Sequence, residues 1–166
     1  MAGVTQRRPR STWRGVLSSP ALTLNGYVAF ALPRTVTALG MSLLLGLGAV
    51  HVYIWATRPA LPNYFLVYSA VLIVGCLTAT SAMAWGVNPR VPRLGWYLGS
   101  SICLAFLVVY LASRVVGLPG LDTLTGRWDL APGTFGMAFA AAFVAVHTTV
   151  LSGINVAYPQ QRHWYD

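Results

Sequence analysis

The chain has 166 residues, of which 56% are hydrophobic and only 8% are charged. A water-soluble domain carries about a quarter charged residues, so this composition leaves too few charges to coat a surface facing water. Eleven basic residues stand against three acidic ones, and every basic residue is an arginine at the amino end or between apolar runs. No basic face is assembled, which argues against nucleic acid as a partner.

Residues 1–33 read as a basic tail. It carries Arg7, Arg8, Arg10 and Arg14 and is interrupted by Pro9, Pro20 and Pro33. Within it, residues 21–32 are apolar but too short to span a bilayer. They are expected either to lie in the interface, with Tyr27 and Phe30 at headgroup level, or to lead into the first helix. The first long apolar run begins only near residue 35 and no small-residue cleavage site follows it, so no signal peptide is expected.

Four apolar runs follow, at about 35–57, 64–86, 94–116 and 134–157. Each has roughly 23 residues, enough to cross a hydrocarbon core of about 30 Å with some tilt. Arg58-Pro59, Pro89-Arg90, Pro92-Arg93, Pro119, Pro132 and Pro159 punctuate them. Continuous runs of this length exclude a barrel, because only helices satisfy their own backbone in lipid. The expected fold is all-α: an integral membrane four-helix bundle over residues 34–158, followed by a short tail at 159–166.

Arginine placement sets the expected orientation. The tail, Arg34, Arg90, Arg93 and Arg162 fall on one side. The other side holds Arg58, and Arg127 balanced by Asp122 and Asp129. The positive-inside rule then puts both termini and the middle loop in the cytoplasm of a multi-pass cell-membrane protein. Trp55, Trp85, Trp96, Tyr97 and Trp128 fall near the predicted interfaces, as aromatic belts do. Small residues recur at spacing four, as Ala38, Ser42 and Gly46 in the first span and as Ala138 and Ala142, with Ala141 and Ala145, in the fourth. Such stripes let helix backbones approach closely.

Two histidines lie inside spans, His51 in the first and His147 in the fourth. An ionisable residue in a membrane is costly and is a candidate site by default. A pair on two spans raises the chemistry of haem b held between helices. Their positions in the runs differ by roughly 10 Å along the membrane normal at 1.5 Å per residue, which weighs against shared axial ligation. The favoured reading is two histidines that hydrogen-bond across helices. His147, Thr148, Ser152 and Asn155 fall on one polar stripe of span four, and His51 and Trp55 share a face of span one. Facing each other, these residues are candidates to line a small cavity. Cys76 and Cys103 are expected at similar depth near mid-membrane. There they read as small buried hydrophobes. Copper is the metal that His51, His147, Cys76 and Cys103 would suit best if they held one. Arg114, at the outer end of span three, is expected to reach the interface or to pair with Asp122 or Asp129 and pin the loop over the bundle. With no Glu and no Asp clearly inside a span, carboxylate acid–base chemistry is not expected.

The segment His51-Val-Tyr-Ile-Trp55 closing the first span, and Ser113-Arg114-Val-Val-Gly117-Leu118-Pro119 closing the third, resemble two short elements of a group of small four-span membrane proteins from high-GC Gram-positive bacteria. The resemblance covers residues from about 40 to 157. It implies the four-span topology in a bacterial cell membrane and draws attention to His51, Trp55 and Arg114. It supplies no activity. The expected function is a non-catalytic accessory, assembly or stabilising subunit of a larger membrane complex, contacting lipid and other membrane subunits or itself, with no cofactor. Two alternatives stay open. One is a haem b or copper-binding redox subunit using His51 and His147. The other is a small-solute or metal transporter using the polar face of span four.

Overall fold

Proline cannot donate a backbone hydrogen bond, but the first turn of a helix has no acceptor for that donor, so proline starts helices without cost. This chain uses it at every helix start. A computed structural model describes residues 33–58, 61–116, 118–120, 125–128, 131–152 and 155–158; the tail and carboxyl-terminal readings at 1–32 and 159–166 lie outside these residues. Among the described residues there are four helices: α1 (Pro33–Thr57), α2 (Asn63–Ala84), α3 (Arg90–Val115) and α4 (Ala131–Leu151). Pro33 opens α1, Pro62 caps α2, Pro89 caps α3 with Pro92 in its first turn, and Pro132 sits in the first turn of α4. The helices therefore begin before the apolar runs do, by four residues in the case of α3. There the Asn88 side chain accepts the Arg90 amide at 3.0 Å and closes the turn.

All four helices are long and apolar enough to cross a membrane. Their lengths of 21 to 26 residues correspond to about 32–39 Å at 1.5 Å per residue. Each packs on its two neighbours around a square, α1 on α2, α2 on α3, α3 on α4 and α4 back on α1. Short connections make successive helices antiparallel. The end that carries the α1–α2 and α3–α4 connections is called distal here, and the end that carries the start of α1 proximal.

Span four was expected to run to residue 157, but α4 stops at Leu151. The Asn155 amide donates to the Thr149 carbonyl at 3.0 Å, and its side chain donates to Thr149 Oγ1 at 2.8 Å. The chain then returns to the bundle. Ala157 is buried, and the Tyr158 amide donates to Thr37 Oγ1 at 2.9 Å, tying this segment to the first turns of α1. Hydropathy cannot register such an ending, because Ser, Asn and Thr are spending their polar groups on the backbone instead of exposing them.

The core is built from Leu44 and Leu47 of α1, Leu72, Cys76, Ala79 and Met83 of α2, Trp96, Cys103, Phe106 and Tyr110 of α3, and Ala140 and Phe143 of α4. The backbones of α2 and α3 approach closely at Gly95. A β-carbon there would stand 2.8 Å from the Met83 nitrogen and 2.9 Å from the Ala79 oxygen, so only glycine lets the two backbones meet.

Candidate functional site

The bundle interior carries two aromatic layers, each centred on a histidine. In the distal layer His51 is 2% exposed. Its ring meets Phe106 edge-on at 5.5 Å and Tyr68 at 6.1 Å. Its Nδ1 lies 3.0 Å from the Leu47 carbonyl of its own helix. A carbonyl only accepts, so the proton sits on Nδ1, and in the neutral ring Nε2 is left as the acceptor.

In the proximal layer His147 is 4% exposed. It stacks on Trp96 at 5.4 Å, with Phe143 stacked on the same indole at 5.3 Å, and it meets Tyr97 edge-on at 5.2 Å. Its Nδ1 shares a hydrogen bond of 2.5 Å with Ser100 Oγ across the α3–α4 contact. This is the interhelical hydrogen bond expected of a packed histidine. The Trp96 indole nitrogen is buried without an acceptor, so stacking is what holds that ring. Trp96 was expected at the interface with Trp55, Trp85, Tyr97 and Trp128. Those four are exposed, whereas Trp96 is turned into the core.

The two histidines touch α3 at Phe106 and Ser100, six positions apart, or about 9 Å along the axis. They lie in separate layers and do not converge on one point. Among the described residues no group of three His, Cys, Asp or Glu gathers. Cys76 and Cys103 are free thiols buried in the core between the layers.

The polar stripe of span four does not meet His51. The Thr148 hydroxyl donates to the Ala145 carbonyl, and Ser152 to that of Thr149, both on the exposed side of α4. Asn155 closes the end of the helix. Trp55 faces outward. Thr148, Ser152 and Asn155 thus donate to groups of their own segment, as short polar side chains in helices do. Of the residues singled out in the sequence, the tertiary structure brings together His51 and Arg114.

They line a distal cavity of about 100 Å³. Its walls are His51, Phe65, Tyr68, Phe106 and Tyr110, and Arg58, Leu61, Leu118 and Pro132 border it towards the distal end. Arg114 is 5% exposed, with its guanidinium carbon 4.9 Å from the centre of the Tyr110 ring. A cation over an aromatic face in a dry setting contributes about 2 kcal/mol. Gly133 of α4 makes this possible, since a β-carbon there would stand 2.8 Å from the Tyr110 ring and 2.9 Å from the Arg114 guanidinium. The loop after α3 is held down as well. The Gly126 amide donates to the Arg114 carbonyl at 3.0 Å, and the Tyr64 hydroxyl of α2 to the Pro119 carbonyl at 2.6 Å. Gly120 and Gly126, with φ of +75° and +74°, provide the left-handed turns this path requires. Asp122 and Asp129 lie outside the described residues.

Tyr68 is the site residue that sequence reading missed. Its hydroxyl is buried in the cavity wall without a hydrogen-bond partner. A buried polar atom in that state costs about 1–3 kcal/mol. The only signal in the sequence was a second tyrosine one helical turn inside the apolar run, four residues after Tyr64. No protein-family profile matches the chain, and neither a search of curated proteins nor one of solved structures returns a match.

Proposed function

We propose that the chain is an accessory or assembly subunit of a larger membrane complex, with the arginine-rich proximal end in the cytoplasm. The observation that carries this reading is the outer seam of α4. Thr134, Ala138, Ala141, Ala145, Thr148 and Ser152 recur at alternating spacings of four and three, and all six are exposed. That spacing keeps them on one line along the whole helix. Every one of them is small. The outward face of α2 is different, with Val67, Val71, Val74 and Leu77 standing into the surroundings.

In lipid there is no hydrophobic drive between helices, so association rests on backbones approaching closely, and small residues permit that. A seam of six small side chains accepts a transmembrane helix of another chain. The bulkier aliphatic face of α2 suits disordered acyl chains.

A photo-crosslinking side chain placed at Ala141, and separately at Val71, tests this in native membranes. The Ala141 position is expected to capture a discrete polypeptide of fixed mass, with capture lost on Ala145→Phe. The Val71 position is expected to label lipid. Equal, diffuse lipid labelling at both positions would remove the subunit reading.

A further inference from the structure

Two polar atoms of the distal cavity are left without a partner among the described residues. They are Nε2 of His51 and the hydroxyl of Tyr68. They come from different helices, α1 and α2, and their rings lie 6.1 Å apart at 66°. His51 Nε2, with its proton fixed on the opposite nitrogen, calls for a donor. The Tyr68 hydroxyl can donate in return. One hydroxyl group placed between them answers both, giving its proton to His51 and accepting one from Tyr68.

The rest of the wall describes what should carry that hydroxyl. Phe65, Phe106 and Tyr110 are aromatic, and Arg114 over Tyr110 holds the last ring in place. Aromatic side chains favour a further ring in stacked or edge-on contact. The volume is about 100 Å³, with the border at Arg58, Leu61, Leu118 and Pro132 towards the distal end. An apolar cavity of about 150 Å³ accommodates benzene. The distal cavity is about two-thirds of that, so a single six-membered ring is the most it can take, and any substituent must trail out past Leu61 and Leu118. Apolar walls with a few converging polar atoms are the usual make-up of a small-molecule site.

We propose that the distal cavity binds a monocyclic aromatic ring bearing a hydroxyl, a phenol or hydroquinone, held between His51 and Tyr68. The chemistry is shared by two sources, a free phenolic solute and the head group of a membrane hydroquinone whose hydrocarbon tail leaves through the mouth. The site faces the bundle interior and uses none of the six seam residues of α4, so it stands or falls independently of the subunit reading.

The test uses the full chain in lipid nanodiscs, titrated calorimetrically with 4-ethylphenol and with ethylbenzene, against protein-free nanodiscs. Saturable one-to-one binding of 4-ethylphenol is expected, with ethylbenzene at least tenfold weaker because it lacks the hydroxyl. Tyr68→Phe removes one oxygen and little volume, so it keeps the fold. It is expected to weaken 4-ethylphenol about tenfold and leave ethylbenzene unchanged. A hydroquinone with a ten-carbon chain separates the sources: tighter binding than 4-ethylphenol after correction for partitioning assigns a membrane hydroquinone, and equal binding assigns a free phenol. Absence of saturable 4-ethylphenol binding, equal binding of ethylbenzene, or indifference to Tyr68→Phe would each overturn the proposal and leave the two polar atoms to water.

Discussion

The two histidine layers use the same residue type at nearly the same burial and to different ends. In the proximal layer His147 is held by rings and by a neighbouring helix. Trp96 and Tyr97 close around it, and Ser100 reaches it from the next helix. In the distal layer His51 gives its Nδ1 proton to its own helix and lines a cavity. The first arrangement locks helices together. The second holds a polar atom in readiness at some cost to stability. The difference teaches that burial of an ionisable group in a membrane bundle does not by itself mark a site; the partners of each of its atoms do.

The sharpest way to break this comparison is at the proximal end, where packing is tightest. Gly95→Val puts a branched side chain against the Met83 and Ala79 backbone. Neither helix can yield without losing its own hydrogen bonds, so the variant is expected to give no monodisperse protein in mild detergent, as judged by size-exclusion chromatography. A variant that elutes and melts like the parent would show that α2 and α3 are not in contact there.

Next in size is Ser100→Ala. Interhelical hydrogen bonds in membrane proteins contribute about 0.6 kcal/mol on average and about 1.7 at most. Loss of the Ser100–His147 bond is expected to lower stability by that order in a detergent-unfolding titration. A change beyond about 2 kcal/mol would mean that His147 carries more than packing.

The smallest stability effect is expected from Tyr68→Phe in the distal layer. Removing a buried hydroxyl that has no partner is neutral or slightly favourable. The apparent melting temperature of the ligand-free protein is therefore expected to hold or rise. A clear loss of stability would show that the hydroxyl is already satisfied, and would remove the contrast between the layers.

Much of the fold was legible without coordinates. Run length and the scarcity of charge give four helices, because lipid leaves the backbone no alternative. Pro89, Pro92 and Pro132 were placed outside the helices as boundaries, whereas they belong to a cap or a first turn; Pro119 does lie outside, in the loop after α3. The end of α4 was not legible, since it depends on Thr149 and Asn155 meeting after the chain turns. Of the candidate site, His51 and Arg114 were picked out because charge inside a membrane is conspicuous. Tyr68 was not, because nothing in a sequence tells which tyrosine hydroxyl goes without a partner. The stripe of His147, Thr148, Ser152 and Asn155 was a true helical pattern, yet three of its members close bonds within their own segment.

The sequence by itself determined that there are four helices long and apolar enough to cross a membrane, and their rough limits. Those follow from composition and run length, which are properties of single segments. Only the tertiary structure decided that Trp96 turns inward, that the histidines occupy separate layers and that His51, Tyr68 and Arg114 border one cavity. Those depend on how helices rotate against each other. That rotation is set by where side chains such as Gly95 and Gly133 allow close approach, and no helix can specify it without its neighbours.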